Sequence, residues 1–160
     1  MEHPLSSILL AGIASCLVLD LWQQILKRTA GIPTANWAVV GRWYLRLWIV
    51  KSMYQPTIDA APRQSNELRV GWLVHYGVSV GYAVVLYTLM VVVPVFKPTL
   101  IDGLIFGALS VAVPWFYFMP CMGKGVMASR TPTPVKACCI ALANHLVYGV
   151  ALVFALGLGM

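Results

Sequence analysis

The sequence predicts an all-α membrane protein: four transmembrane helices in a bundle, plus an interfacial amphipathic helix between the first and the second. Of its 160 residues, 60% are hydrophobic and only 10% are charged, whereas about a quarter of a soluble domain is charged. Four apolar runs each reach about 20 residues, the length that a helix needs to cross a bilayer. These observations predict a single integral membrane domain over residues 1–160.

The first transmembrane helix is predicted over residues 5–26. Its apolar run continues past Cys16 with no delimited cleavage site, and Glu2 rather than Lys or Arg precedes it. A cleaved signal peptide shows the opposite features, so we interpret this run as a retained membrane helix. Three further spans are predicted over residues 70–95, 100–120 and 136–158.

Two glycine pairs at four-residue spacing lie in the predicted spans, Gly77 with Gly81 and Gly103 with Gly107. Small residues at this spacing let helix backbones approach closely in lipid, where apolar burial alone does not drive association. Both pairs therefore favour helix bundling, and they would also suit a homo-oligomer.

The interfacial helix is predicted over residues 35–52, after a Gly-Ile-Pro turn. One broad face of this helix carries aromatic and apolar residues, namely Trp37, Val40, Trp43, Tyr44, Leu47 and Trp48. Arg42 and Arg46 lie one turn apart on another face. Aromatic and cationic side chains together are typical of helices that lie in the lipid headgroup zone.

Positive charge predicts the orientation. The net charge is +6, and most Lys and Arg residues fall in the connections between spans one and two and between spans three and four. Cytoplasmic loops of membrane proteins carry such an excess. We therefore expect a bacterial inner-membrane protein with both basic connections in the cytoplasm and both termini in the periplasm, and we do not expect nucleic-acid binding.

Three ionisable residues lie well inside the predicted spans: Asp20, His75 and His145. Each is about 9–14 Å from the predicted cytoplasmic end of its helix, at 1.5 Å per residue. Met119 ends the third span on the same side. Such residues usually face a partner or water, so two interpretations stay open. One is a ligand site, and the other is a structural network pairing His75 with Asp20, or His145 with a carbonyl opened by Pro114.

The second basic connection has features of an anion site. Gly123 and Gly125 allow close backbone approach around Lys124, and Arg130 supplies a fork of donors. The N-terminus of the following helix points free amides at the same place. The candidate ligand-binding residues are therefore Asp20, Arg42, His75, Met119, Lys124, Ser129, Arg130 and His145. The structural alternative is a solvated loop whose glycines only turn the chain.

Other functions have weaker support from the sequence. His75 and His145 could hold haem, or with Asp20 or Cys121 a transition metal, but no HxxxH or CxxC spacing occurs, so no cofactor is predicted. The same histidines are the candidates for a general base in an enzyme acting on a lipid or polyprenyl substrate, but no catalytic spacing assigns one. An accessory or scaffold subunit of a larger membrane complex is the third alternative.

The order of several short motifs resembles a bacterial family of predicted membrane proteins catalogued as domain of unknown function 2938. The motifs are Gly31-Ile32-Pro33, Asn36-Trp37, Val40-Gly41-Arg42-Trp43, Ala60-Ala61-Pro62, Trp72 with His75-Tyr76, Met119-Pro120 with Met122-Gly123 and Gly125, Ala128-Ser129-Arg130-Thr131-Pro132, and His145. The likeness covers nearly the whole chain. It implies a multi-pass membrane protein of this length and offers no activity, catalytic residue or cofactor. From the convergence of Asp20, His75, His145 and the Gly123–Arg130 loop on one side of the membrane, we expect a protein that binds, and could move, a small ligand or an anionic lipid headgroup from the cytoplasmic side.

Overall fold

The computed structural model describes residues 4–93 and 95–158. Within these residues the secondary structure is helical and contains no strand. The five helices are α1 (Pro4–Ala30), α2 (Trp37–Val50), α3 (Glu67–Val92), α4 (Leu100–Cys121) and α5 (Pro134–Gly157). Two short turns of 3₁₀ type, Ile58–Ala60 and Val126–Ala128, lie in the connections. The all-helical prediction is confirmed.

Four of these helices are long and apolar enough to cross a membrane. α1, α3, α4 and α5 have 22 to 27 residues and mean hydropathies of 1.5 to 2.0. At 1.5 Å per residue they exceed the roughly 30 Å thickness of a bilayer core. α2 has 14 residues, about 21 Å, and is too short to span. The predicted second span runs to residue 95, past the end of α3, and includes Pro94, which lies outside the described residues.

The chain divides into two compact units. Unit 1 comprises residues Met1–Thr34, Tyr76–Ser110 and Leu142–Met160, and unit 2 comprises Ala35–His75 and Val111–Ala141. The prediction of one integral domain over residues 1–160 stays a prediction, and residues 1–3, 94 and 159–160 lie outside the described part.

Segments of four helices surround the core of unit 1. This core contains Ile8 and Ala11 of α1, Ala83, Leu86 and Met90 of α3, Phe106 of α4, and Tyr148, Leu152, Val153 and Leu156 of α5. α4 and α5 touch through glycines. A Cβ atom added to Gly107 would lie 2.4 Å from the carbonyl oxygen of His145, and one on Gly149 would lie 2.4 Å from that of Gly103. The predicted close packing at Gly103 and Gly107 is therefore confirmed.

The other predicted glycine pair behaves differently. A Cβ atom added to Gly77 or Gly81 would meet no described atom within 4 Å. Both glycines are exposed on α3. The expected use of this pair in helix packing is therefore not found within the described residues.

Unit 2 is built on a crossing of α2 with the first turns of α3. A Cβ atom on Gly41 would lie 1.8 Å from the carbonyl oxygen of Glu67, and one on Gly71 would lie 1.8 Å from that of Trp37. The two backbones therefore touch, and only glycine fits at both positions. Beside this crossing, a second apolar core contains Val39, Trp43, Ile58 and Met122.

α4 contains a π-helical turn that starts at its internal proline. Pro114 has no N–H, so it cannot donate to the carbonyl of Ser110. The turn runs over Pro114–Phe118, and the N–H of Met119 donates to the carbonyl of Pro114. Such bulges arise where the regular hydrogen-bond ladder of a helix is interrupted.

Candidate anion-binding site

The net positive charge belongs to unit 2. Unit 1 contains three Lys or Arg residues and three Asp or Glu residues, whereas unit 2 contains eight basic and two acidic residues. Among the described residues the Lys and Arg side chains form one ion pair, between Arg42 and Glu67. Seven basic residues of unit 2 therefore form no ion pair with a carboxylate in the described part of the chain. They are Arg46, Lys51, Arg63, Arg69, Lys124, Arg130 and Lys136.

Arg42 forms a bidentate ion pair inside unit 2. Its Nε donates to Glu67 Oε2 at 2.8 Å and its Nη2 donates to Glu67 Oε1 at 2.9 Å. The two side chains are only 8% and 12% exposed. The glycine crossing explains the contact, because it places the arginine of α2 over the first residue of α3. The hydrogen bond to Glu67 raises the pKa of Arg42 above its ordinary value.

The remaining nitrogen of Arg42 holds the connection between α2 and α3. Nη1 donates to the carbonyl oxygens of Ile58 and Asp59, both at 3.3 Å, and of Ala61 at 3.0 Å. Each nitrogen of the guanidinium thus has a protein acceptor. The Arg42 side chain is therefore buried and bonded within unit 2. We assign it a structural role, and its predicted contact with a ligand stays a prediction.

The connection between α4 and α5, residues 122–133, is called the basic loop below. Its backbone takes the left-handed conformation at Gly123, Gly125, Met127 and Ala128, with φ of 79°, 76°, 50° and 58°. For the two residues that are not glycine this conformation costs about 1–2 kcal/mol each. A Cβ atom on Gly123 would lie 2.2 Å from the carbonyl oxygen of Pro56. The loop is therefore tightly packed and its conformation is held by surrounding contacts.

Three predicted site residues, Lys124, Ser129 and Arg130, lie together in this loop. The N–H of Arg130 donates to the carbonyl of Lys124 at 2.9 Å. Ser129 Oγ lies against the backbone of Gly125, where a Cβ atom would be 2.3 Å from it. The Arg130 side chain is exposed, and its Nη1 donates to the neutral hydroxyl of Tyr54 at 3.2 Å. A guanidinium, an ammonium and a hydroxyl are each able to bind an anion, and none of the three forms an ion pair with a carboxylate among the described residues.

The structure gives Asp20 and His145, both in unit 1, different partners. The hydroxyl of Tyr76 donates to Asp20 Oδ2 at 3.0 Å. His145 Nδ1 lies 2.8 Å from Ser110 Oγ, and its ring meets that of Tyr82 edge-on with centroids 6.0 Å apart. Tyr76 and Tyr82 are six residues apart on α3, which is about 9 Å along the helix axis. The two predicted site residues thus belong to separate polar contacts at different levels of unit 1.

Tyr82 donates a hydrogen bond to the Ser110 carbonyl, which has no helical donor because residue 114 is a proline. Its hydroxyl donates to the Ser110 carbonyl oxygen at 3.1 Å, the acceptor that would otherwise serve the N–H of residue 114. His145, which one of the open alternatives pairs with this carbonyl, contacts the hydroxyl of the same serine instead. The packing of α3 against α4 brings Tyr82 to the carbonyl, and sequence spacing does not show this.

His75 belongs to unit 2, where two tryptophan rings flank it. Its ring stacks on Trp37 with centroids 3.9 Å apart and planes inclined by 22°. The Trp72 ring is 5.7 Å away at 59°. Sequence reasoning missed both neighbours, although Trp72 lies three residues before His75 on one helix. The predicted pairing of His75 with Asp20, and its use as a base or metal ligand, stay predictions.

Met119 and Cys121, at the end of α4, contribute their backbone to the site. The carbonyl of Met119 accepts the N–H of Lys124 at 2.8 Å, and that of Cys121 accepts the N–H of Gln55 at 2.7 Å. These bonds fix the start of the basic loop and attach it to the segment after α2. Binding of a metal or haem by the sulfur atoms or histidines stays a prediction.

The segment after α2 is the part of the site that sequence reasoning missed. Trp43 Nε1 donates to the carbonyl of Met53 at 2.8 Å, while Tyr54 contacts Arg130 and Gln55 contacts Cys121. This segment therefore connects α2 with the basic loop. Its prolines predict only a break between helices, and nothing in its local pattern indicates these partners.

Comparison with known proteins assigns a family. A family model matches residues 9–158, nearly the whole chain. Comparisons with curated proteins and with solved structures each gave no match. The match includes the basic loop and the glycine crossing described above. The chain belongs to the family described as "Protein of unknown function (DUF2938)".

Proposed function

We propose that this multi-pass membrane protein binds an anionic lipid headgroup at the basic loop, with Arg130 as the main donor and Lys124 and Ser129 beside it. One observation carries the proposal. Arg130 stands exposed on a tightly held loop, and its guanidinium contacts a neutral tyrosine hydroxyl rather than a carboxylate. A headgroup phosphate would supply the missing negative charge, and arginine can hold a phosphate through two parallel hydrogen bonds.

A comparison of the two predicted arginines supports this choice. Arg42 has its counter-charge within the protein, at 2.8 Å, so a ligand would have to displace Glu67. Arg130 has no such competitor among the described residues. The packed loop also lowers the ordering cost of binding, because its backbone conformation is set before the ligand arrives.

The outer surface of α2 supports a position of unit 2 at the membrane–water boundary. Trp48 is 75% exposed, and Tyr44 and Ile49 are exposed as well. Exposed aromatic residues next to cations are typical of the interfacial zone. There each Lys or Arg near an anionic surface contributes about 1 kcal/mol. We further propose, from the charge bias alone, that the basic loop faces the cytoplasm and both termini face the periplasm of a bacterial inner membrane.

The test is lipid retention by purified protein. Detergent-solubilised protein would be mixed with equal amounts of phosphatidic acid and phosphatidylcholine of matched chains, and bound lipid counted by native mass spectrometry. We expect wild type to retain phosphatidic acid preferentially. In Arg130→Gln the ratio of bound phosphatidic acid to bound phosphatidylcholine should fall about tenfold, the effect of one charge-assisted hydrogen bond.

Arg69→Gln is the matched control, since Arg69 is an exposed cation of the same unit with no carboxylate partner in the described residues. It removes the same charge without touching the loop. An equal loss of the preference for phosphatidic acid in both variants would mean that net charge alone causes it. An unchanged preference in Arg130→Gln would refute the proposed site.

A further inference from the structure

One hydrogen bond joins two exposed side chains of unit 2, those of Arg130 and Tyr54. Nη1 of Arg130 donates to the hydroxyl oxygen of Tyr54 at 3.2 Å. Both side chains are exposed, that of Tyr54 to 53%. The two polar groups are therefore in direct contact at a surface that a ligand can reach.

The hydroxyl of Tyr54 keeps a proton that it can donate. A guanidinium has only N–H donors, so the tyrosine oxygen is the acceptor in the contact with Arg130. A phenolic hydroxyl can accept one hydrogen bond and donate another at the same time. Among the described residues no acceptor takes the proton of this hydroxyl. Tyr54 therefore presents a donor directly beside the charged guanidinium.

The guanidinium of Arg130 also keeps one edge for a ligand. Arg42 of the same unit shows how the nitrogens divide, because its Nε and Nη2 hold the two oxygens of Glu67 while its Nη1 donates to neutral carbonyls. Arg130 likewise uses Nη1 for a neutral oxygen, and its Nε and Nη2 have no acceptor in the described part of the chain. This edge can take two oxygens of an anion.

Hydrogen bonds hold both members of the pair in place. The N–H of Arg130 is bonded within the basic loop. Tyr54 lies between two anchored residues, since the carbonyl of Met53 accepts from Trp43 Nε1 at 2.8 Å and the Gln55 amide donates to the Trp43 carbonyl at 3.2 Å. The chain on both sides of the site is therefore fixed before a ligand arrives, which lowers the ordering cost of binding.

We propose that Tyr54 is a ligand-binding residue and that, with Arg130, it makes the site selective for a terminal phosphate, a phosphomonoester with three free oxygens. Two oxygens accept from Nε and Nη2 of Arg130, and the third accepts from the Tyr54 hydroxyl. A phosphodiester has two free oxygens, so it satisfies the guanidinium edge and leaves the Tyr54 proton without an acceptor of its own. The inference rests on the proposed anion site and names the chemical class of its ligand.

The experiment compares phosphatidic acid, a monoester, with phosphatidylmethanol, a diester in which one methyl group blocks the third oxygen. These lipids and phosphatidylcholine, all of matched chains, are supplied in equal amounts to purified protein in neutral detergent, and bound lipid is counted by native mass spectrometry. We expect wild type to retain phosphatidic acid over phosphatidylmethanol. In Tyr54→Phe, which removes a hydroxyl and no charge, the ratio of the two bound lipids should fall about fivefold, the effect of one hydrogen bond.

Two further variants serve as controls. Tyr44→Phe removes the hydroxyl of another exposed tyrosine of unit 2, and it should leave the ratio unchanged. Arg130→Lys keeps the positive charge but removes the planar fork of donors. We expect it to retain both anionic lipids over phosphatidylcholine and to lose the selectivity for the monoester. All three replaced side chains are exposed, so the variants should unfold at the temperature of wild type.

The outcomes separate this inference from the proposed function. If Tyr54 only holds Arg130 in place, Tyr54→Phe would lower retention of both anionic lipids alike, and the unchanged ratio would overturn the inference. Equal retention of phosphatidic acid and phosphatidylmethanol by wild type would also overturn it, while the anion site would stand. Equal retention of all three lipids by wild type would refute the proposed function itself.

A soluble phosphomonoester has the same chemistry as the headgroup of phosphatidic acid, so a separate arm adds glycerol phosphate. A higher Tm of wild type but not of Tyr54→Phe, together with loss of bound phosphatidic acid, would identify a free phosphomonoester as the ligand. Selective retention of phosphatidic acid without a response to glycerol phosphate would identify the lipid. Both results support a site for a terminal phosphate.

Discussion

Replacement of Arg42 by methionine tests whether this residue is structural or ligand-binding. The change removes the bidentate pair and leaves the carboxylate of Glu67, 12% exposed, with the N–H of Gln64 at 2.9 Å as its remaining partner. Breaking a buried pair by removing one partner costs about 3–5 kcal/mol. Because both side chains keep slight exposure, we expect about 3 kcal/mol, which lowers the Tm by about 6–12 °C in a chain of this length.

The assay is thermal unfolding of the detergent-solubilised protein. The measured quantity is the fraction of protein that stays monodisperse at each temperature. The double variant Arg42→Met with Glu67→Met should be more stable than the single variant, because it removes the unpaired carboxylate. Full recovery is not expected, since the carbonyls of Asp59 and Ala61 lose the donor that Arg42 supplies in both variants. Arg69→Met, an exposed replacement nearby, should change stability by less than about 0.5 kcal/mol.

Two results would refute this reasoning. Arg42→Met could unfold at the temperature of Arg69→Met, which would mean that the pair contributes nothing. The double variant could instead be destabilised as much as the single one, which would mean that the unpaired carboxylate is not the source of the cost. Loss of lipid retention in Arg42→Met with an unchanged Tm would return Arg42 to the candidate ligand donors.

Three further predictions concern single residues. Gly41→Ala should lower the free energy of unfolding by about 1–3 kcal/mol or more, and with it the Tm, because the new Cβ would clash with a backbone carbonyl. Gly77→Ala should be neutral or stabilise the fold by about 0.5–1 kcal/mol, because no described atom lies within 4 Å of its Cβ. Equal melting curves for the two variants would contradict the close contact at Gly41. Tyr82→Phe should cost about 1 kcal/mol in the same assay by leaving the Ser110 carbonyl without its donor. Gly125→Ala should reduce retention of phosphatidic acid in native mass spectra without changing the charge, because φ is 76° there; unchanged retention would show that the loop conformation is irrelevant to binding.

The helices could be predicted because their signal is local. Each apolar run is continuous and long enough to cross a bilayer, and helix length follows from 1.5 Å per residue. The bounds differ by a few residues where turns of α1 and α3 extend beyond the apolar run, as at Thr29 and Glu67. The cations of the basic loop could be predicted for the same reason, since charge and glycine content are read directly from neighbouring residues.

The partners of the polar side chains could not be predicted, because they depend on tertiary contacts. Arg42 and Glu67 are 25 residues apart, and no periodic pattern links an arginine inside one helix to the first residue of the next. The same holds for Gln55, whose amide rests on a helix that ends before it. Sequence spacing thus indicates where polar residues lie along the chain, whereas tertiary packing determines which of them have partners within the protein.

The distance in sequence between Arg42 and Glu67 has a consequence for biosynthesis. At 5–20 residues per second, the 25 residues that separate them take about one to five seconds to leave the ribosome. The carbonyls of Ile58, Asp59 and Ala61 follow Arg42 by 16, 17 and 19 residues, so the carboxylate is the last of its partners to be synthesised. The buried ion pair that joins α2 to α3 can therefore form only after the first residue of α3 has been synthesised.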